Sequence, residues 1–364
     1  MNEEHKRKDY ILSLINSIKP VDKNKYYNIA ANRLNRLIKP KGSLGRLEEF
    51  ACDLVAITGQ ERPILQNKYV CVFASDHGVV NEGVSAFKQE VTFQMVRNFI
   101  SGGAAINVIS RSMEAQVVVA DVGVNADLNF MGYDCFINAK IKKGTANIFH
   151  EPAMTYDDAL KSISTGMDIA AMLKDRGANI CATGDMGIAN TTPSSAIVCF
   201  YSGKSPHDVC GRGTGVGSDV IFRKSLIINK AIKCNIKDIN DPISILAGVG
   251  GFEIGAIAGF ILGCAINKLP VVVDGFISTA GAVIAMKLNQ NCLDYIFMGH
   301  LSQEKGHKAA VSLIGKKPVL DLGMHLGEGT GAVIAMKIIG AACDMYNNML
   351  TFDEADVFAS KHNM

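Results

Sequence analysis

Pro318-Val319-Leu320-Asp321-Leu322-Gly323-Met324-His325-Leu326-Gly327-Glu328-Gly329-Thr330-Gly331-Ala332 is the stretch on which the reading of this chain turns. It begins as a short apolar run that reads as a buried strand. It then passes through a turn with one carboxylate, Glu328, among four glycines, and enters a helical pattern over 329–345. Strand, glycine turn and helix in that order form the unit of a parallel α/β sheet. Glycine lets a ligand come close to backbone N–H groups. A helix start offers unpaired donors and the positive end of a dipole. Glu328 is therefore either a polar helix start, as acidic residues often are, or a base aimed at a bound ligand.

The same unit recurs upstream. Apolar runs at 69–74, 116–120, 179–183, 270–273, 294–298 and 318–320 alternate with helical patterns near 88–111, 156–176, 193–201, 216–231, 252–267, 277–289, 304–314 and 329–345. The alternation predicts a mostly parallel, Rossmann-like sheet, and the unbroken apolarity of the runs predicts helices over both faces. Residues 1–60 read as helical only. Asp22 is placed to cap a helix with Tyr26, Ala30, Leu34 and Leu37 on one face. Pro40-Lys41-Gly42-Ser43 breaks it, and a second helix carries Leu47, Phe50, Leu54 and Ile57 before Gly59. The span 124–155 reads as loop-rich, and no internal repeat or low-complexity tract is present.

A length of 364 residues predicts two domains, or one large domain with an appendage. With 37 basic and 35 acidic residues the net charge is +2, which gives no electrostatic footprint for nucleic acid or a membrane surface. The absence of tryptophan and an aromatic content of 7% weigh against stacking platforms for single strands. The ten cysteines include no Cys-x-x-Cys pair and sit mostly in apolar patterns, as free thiols in a reducing cytoplasm would. No signal peptide is expected. The longest uncharged apolar run, between Glu253 and Lys268, falls short of the roughly 20 residues a membrane span needs.

Each candidate strand runs into a polar or glycine cluster. These are Ser75-Asp76-His77-Gly78, Asp121-Val122-Gly123, Gly184-Asp185-Met186-Gly187, Asp274-Gly275-Phe276, Gly299-His300 with Ser302 and Glu304, and Asp321 with Glu328. Ligands of open parallel sheets bind outside the carboxyl ends of the strands, so the set predicts a site assembled from loops. Two further glycine stations could cradle a phosphate at a helix start: Gly211 to Gly217 with Lys224 beyond it, and Gly248-Val249-Gly250-Gly251. Neither is a Walker loop or a dinucleotide fingerprint, and close helix packing explains each station alone equally well. His77, His300, His307 and His325 match no compact zinc spacing, and hydrogen bonding between loops is the expected role. Two readings are open at this point: a metal-dependent hydrolase of a phosphorylated ribonucleoside, built on Asp76, His77, Asp185 and His300, and a non-catalytic nucleotide sensor.

Read in order, the motifs resemble one family, the nicotinate-nucleotide–dimethylbenzimidazole phosphoribosyltransferases of cobalamin nucleotide-loop assembly. The stretches that carry the resemblance are Lys39-Pro-Lys-Gly-Ser-Leu-Gly-Arg-Leu-Glu48, Ser75-Asp-His-Gly-Val79, and Glu82-Gly-Val-Ser85 with Gln89 and Val91-Thr92. They continue with Gly184-Asp-Met-Gly-Ile-Ala-Asn-Thr-Thr192, Gly211-Arg-Gly-Thr-Gly215, Asp274-Gly-Phe276, His300 through His307, and Leu326-Gly-Glu-Gly-Thr-Gly331. The resemblance runs from about residue 33 to about residue 345. It implies a cytoplasmic homodimer with an α/β catalytic domain over 67–345 and a small helical domain over 1–66, joined by 346–364. It also implies a pentosyltransferase that converts nicotinate mononucleotide and 5,6-dimethylbenzimidazole to α-ribazole 5′-phosphate and nicotinate, without metal or cofactor. By the same resemblance Glu328 is the general base and Asp185 a second catalytic residue, an acidic side chain near the sugar. Substrate contacts fall on Gln89, Gly187, Asn190, Thr191, Gly213, Lys224, Gly250, Asp274, Gly275, Ser302 and Leu326. The chain departs from the family pattern at Asp185, where Glu is usual, at Ala189, where Gly is common, and at Lys88, where Pro often stands.

Overall fold

The computed structural model describes residues 3–130, 132–211 and 217–357. The described chain opens with three helices, α1 (Glu3–Asn16), α2 (Lys23–Leu34) and α3 (Arg46–Thr58). The alternating part follows as β1 (Lys68–Ser75), α4 (Glu90–Ser101), α5 (Ala105–Ser112), β2 (Ala115–Gly123), β3 (Phe136–Asn138), α6 (Tyr156–Asp175) and β4 (Ile180–Met186). Next come α7 (Thr191–Ser202), α8 (Pro206–Val209), α9 (Ser218–Asn235), α10 (Pro242–Val249), α11 (Phe252–Ile266) and β5 (Val271–Val273). The last elements are α12 (Phe276–Leu288), β6 (Ile296–Met298), α13 (His307–Ile314) and α14 (Thr330–Asn348).

Every strand pairing among the described residues is parallel, in the order β3-β2-β1-β4-β5-β6. The chain builds outward from β1 through β2 to β3, then returns to add β4 on the other side of β1. The order therefore reverses between β1 and β4, the point at which doubly wound sheets open a ligand crevice. All eight residues of β1 are buried, as expected of a strand covered on both faces. Helix α11 lies over β1, β2 and β4 and packs along α6, while α14 lies over β4 and β5 beside α5. The α6–α11 approach depends on glycine. A Cβ on Gly259 would stand 1.8 Å from the Ile163 carbonyl oxygen, and one on Gly166 1.9 Å from that of Ala256.

The helical N-terminus forms as expected. Asp22 accepts the Lys25 N–H at 3.0 Å, and α2 turns Ala30 and Leu34 inward. They join Leu37, Ala51, Val55 and Tyr346 of α14 in a small separate core. The chain ends meet there through an antiparallel bridge between Leu37 and Thr351. Helix α1 instead sends Ile11 and Ile15 into the main core.

Four expectations change. The run 318–320 is not a sheet strand. It makes a single parallel bridge, Leu320 to His300, because Pro318 has no N–H for a ladder and the chain leaves for the Glu328 turn at once. The remaining strand is β3, inside the span that reads as loop-rich; three edge residues are too few to show a period. The pattern over 88–111 is two helices, α4 and α5, parted at Gly102, whose φ of 80° closes the first in the left-handed region. Helix α10 is an addition to the helical patterns, although its signals are local: Asp241 caps it through the Ile243 N–H, and Pro242 opens it. Among the described residues no helix is long and apolar enough to cross a membrane, and all ten cysteines are free thiols.

Candidate active site

The site lies at the carboxyl edge of the sheet, around the β1/β4 switch. Three consecutive residues there are left-handed: Gly327 at φ 87°, Glu328 at 64° and Gly329 at 89°. Glycine takes that region freely, whereas a glutamate held in it is strained by about 1–2 kcal/mol. The reversal seats the Glu328 backbone on β4, where a Cβ at Gly184 would stand 2.5 Å from the Glu328 carbonyl oxygen. It also turns the Glu328 side chain inward, where Oε2 accepts the Ile106 N–H at 3.3 Å from α5. Glu328 is 6% exposed. Burial raises its carboxyl above the usual range, the Ile106 N–H acts the other way, and Asp274 adds to the rise.

Asp274, at the end of β5, is wholly buried and supports this turn. Its Oδ2 accepts the Gly329 N–H at 3.2 Å and its Oδ1 the Ala332 N–H at 2.8 Å, so it serves as the acid at the start of α14. His300 Nε2 lies 3.7 Å from Oδ1. Asp185, at the end of β4, sits beside the same turn: a Cβ on Gly327 would be 3.5 Å from Asp185 Oδ2. That oxygen accepts Asn190 Nδ2 at 2.9 Å, while Oδ1 is buried without a hydrogen-bond partner among the described residues. Burial holds the Asp185 carboxyl well above its ordinary value, and the nearby Asp274, Glu253 and Glu328 push the same way.

Behind β1 a second pair is buried. His77 Nε2 is 2.8 Å from Glu253 Oε1, and Glu253 stands in the first turn of α11. Gly187 and Gly251 leave room for the imidazole, since a Cβ would come within 3.2 Å of His77 Nε2 from the first and 2.5 Å of His77 Cε1 from the second. Asp76 Oδ2 accepts the Asn125 N–H at 2.7 Å, and Asn125 Nδ2 donates to Gln89 Oε1 at 3.0 Å, which fixes Gln89 at the head of α4.

On the β5/β6 side lie the candidate anion donors. Gly275 precedes α12, whose start has no side-chain cap, and a Cβ there would lie 3.7 Å from Ser302 Cβ. Lys224, from α9, is 3% exposed and donates to Thr191 Oγ1 at 3.1 Å. Burial lowers its ammonium pKa, while the neighbouring Cys210 and Glu304 act to keep it charged.

The fold thus gathers Glu328, Asp185, Asn190, Gly187, Asp274, Gly275 and Ser302 at one edge, with Thr191 and Lys224 joined to each other and Gln89 tied to the His77 carbonyl at 3.5 Å, beside Gly187. Leu326 is 58% exposed, on the outer part of the turn. Gly250 ends α10, and its missing side chain is explained by packing, with a Cβ 2.6 Å from Leu246 Cδ1. Gly213 lies outside the described residues. The role of the Ile106 N–H escapes sequence reasoning because a backbone donor leaves no signature there. A cavity of about 400 Å³ opens elsewhere, lined by Lys142, Thr155, Asn235, Lys237, Ser244 and Phe252 among others, and none of the residues gathered above lines it. Among the described residues no group of three or more His, Cys, Asp or Glu side chains could hold a metal ion.

Comparisons with known proteins identify the family and the fold. A family model described as phosphoribosyltransferase matches residues 18–357. The nicotinate-nucleotide–dimethylbenzimidazole phosphoribosyltransferase of Chlorobaculum parvum is 47% identical over 349 residues, which cover 96% of this chain and 98% of that one. The enzyme of the same name from Geobacter sulfurreducens is 49% identical over 343 residues, covering 94% and 97%. The crystal structure of CobT from Thermus thermophilus superposes with a TM-score of 0.88 at 42% identity, over 92% of this chain and 100% of that one. With the turn, the sheet order and these likenesses in agreement, the chain belongs to the nicotinate-nucleotide–dimethylbenzimidazole phosphoribosyltransferase family.

Proposed function

We infer that the chain moves a 5-phosphoribosyl group from nicotinate mononucleotide to 5,6-dimethylbenzimidazole, giving α-ribazole 5′-phosphate and nicotinate for the lower-ligand nucleotide loop of cobalamin. The observation that carries the chemistry is Glu328 itself, a buried carboxyl of raised pKa, turned inward by three left-handed residues beside Asp185.

The donor carries its own leaving group. Its pyridinium departs when the C1′–N bond breaks and the electron pair returns to the ring nitrogen, so no acid is needed. Positive charge develops on the ribose, and we assign its stabilisation to Asp185, whose Oδ1 has no hydrogen-bond partner among the described residues. The unprotonated nitrogen of the benzimidazole attacks C1′ from the opposite face, which inverts that carbon and gives the α product. Alkylation makes the remaining ring N–H acidic, and the Glu328 carboxylate takes that proton. A base whose pKa lies above the ordinary carboxylate range, closer to neutrality, suits the transfer. The phosphate is assigned to the Gly275 and Ser302 turns with Lys224 nearby, where a helix start and a cation both favour an anion. The remainder of the catalysis is positioning. A cytoplasmic homodimer belongs to the same reading, and light scattering of the purified chain tests the stoichiometry.

The experiment is direct. The purified protein is incubated with both substrates, and the products are identified by mass and by anomeric configuration. Release of nicotinate with formation of the α-riboside supports the reading. Saturable donor binding without release, for any aromatic acceptor, overturns it.

A further inference from the structure

The reaction above leaves His307 without a task, yet it is wholly buried and hydrogen-bonded at both ring nitrogens. We propose that His307 is a positioning residue for the donor phosphate: in one fixed tautomer it links the Ser302 turn to the Gly275 turn through a relay of three hydrogen bonds. The proposal rests on the assignment of the phosphate to those two turns.

The direction of the relay follows from its first donor. The Ser302 backbone N–H donates to His307 Nδ1 at 2.7 Å, and an amide N–H can only donate. Nδ1 therefore carries no proton, and the ring hydrogen sits on Nε2. Nε2–H donates to Thr279 Oγ1 at 3.0 Å. The Thr279 hydroxyl then donates to the Gly275 carbonyl at 2.7 Å. Each donor in the chain is used, and the two ends are the turns that follow β6 and β5. Ser302 Oγ receives the Glu304 N–H at 3.2 Å, which leaves its own hydroxyl hydrogen available to donate. Gly275 heads α12, whose start is uncapped by any side chain. Two donors for one anion thus come from different loops, and His307 sets their separation.

The imidazole does not bind the anion by charge. Burial drives its pKa down to about 3, with the neighbouring His300 acting the same way, so it stays neutral while the enzyme works. A neutral ring with one donor and one acceptor is a spacer. An amide places an acceptor oxygen and a donor nitrogen about as far apart as the two imidazole nitrogens, so glutamine is the conservative replacement and leucine removes both bonds.

The test uses the full-length enzyme. Nitrogen-15 spectra of labelled histidines should show one buried ring protonated only at Nε2 and not titrating over roughly pH 5–8. In His307→Leu and Thr279→Val, the KM for nicotinate mononucleotide and the inhibition constant of ribose 5-phosphate should both rise about tenfold, the effect of one lost hydrogen bond. The kcat and the KM for dimethylbenzimidazole should stay within about twofold, and His307→Gln should recover most of the donor affinity. Thr279→Val carries the test should His307→Leu fail to fold. An Nδ1–H tautomer overturns the proposal. So do unchanged donor KM in both variants, or a glutamine variant no better than leucine. If ribose 5-phosphate fails to compete in the wild type, the phosphate assignment falls, and the proposal with it.

Discussion

Asp274 Oδ1 accepts the Ala332 N–H at 2.8 Å, which ties the end of β5 to the first turn of α14. Its other oxygen holds Gly329, the residue next to Glu328. Asp274→Ala should therefore cost about 1–3 kcal/mol of stability, since two buried N–H groups lose a charged acceptor. It should also lower kcat, because the turn that aims Glu328 is no longer anchored. Thermal melting and steady-state kinetics on the same variant check this. A residue that only bound the ribose would instead raise the donor KM and leave the melting temperature in place.

Glu328→Ala should lose about 10²–10⁴ in kcat while still binding nicotinate mononucleotide, the usual loss for a general base. Because Glu328 sits at φ 64°, alanine inherits the strain and glycine does not. Glu328→Gly should thus be as inactive as Glu328→Ala and no less stable, because relief of about 1–2 kcal/mol of strain at least matches the roughly 0.5–1 kcal/mol that glycine loses in chain entropy. Denaturant titration of the pair decides it. In the wild type, the acid limb of kcat/KM should lie above the ordinary glutamate value near 4.5, because burial raises the Glu328 carboxyl. An acid limb at or below that value would argue against Glu328 as the base.

The readable part of the sequence is local. The Gly327-Glu328-Gly329 turn, the Asp22 cap and the apolar runs of β1 and β4 each announce themselves within a few residues, as helix starts, glycine turns and buried strands do. Distant pairings are harder. That His77 meets Glu253 across 176 positions, or that Asp274 binds backbone N–H groups of α14, depends on where loops converge, and no spacing rule encodes that. Short elements fail for a different reason. β3 has three residues and the 318–320 segment a single bridge, so a run of apolar residues does not tell an edge strand from a loop beside the sheet.

Asp185 gives a pH-dependent prediction. Its carboxyl is held well above the unfolded value, so the folded state binds the extra proton as pH rises past about 4. For a raised acid the sign is that stability falls as pH climbs from the unfolded pKa toward the folded one. Asp185→Asn removes this contribution and keeps an oxygen for Asn190. The variant should gain thermal stability over the wild type, with a gap larger at pH near 7.5 than near 5. Its turnover should fall, since the carboxyl assigned to the ribose is replaced by an amide that cannot ionise as positive charge develops there. A gap that shrinks with rising pH would mean that Asp185 is ionised and paired in the free enzyme.

Ala189 occupies a second strained position, at φ 75° between β4 and α7. An L-residue in that region is held against about 1–2 kcal/mol. Glycine removes the strain but loses more chain entropy on folding, about 0.5–1 kcal/mol relative to alanine, together with a buried methyl. The two effects nearly offset, so Ala189→Gly should match the wild type within about 1 kcal/mol. A β-branched side chain cannot make the same compromise, and Ala189→Val should lose about 2 kcal/mol or more. The consequence reaches the chemistry through the next residue. Asn190 Nδ2 donates to Asp185 Oδ2 at 2.9 Å, so a shifted turn removes a side-chain partner that fixes Asp185. Urea titration should rank glycine and alanine together and valine well below them, and kcat should follow the same order. A valine variant with wild-type stability and turnover would mean that this turn relaxes without strain, and that Asp185 is oriented by something other than Asn190.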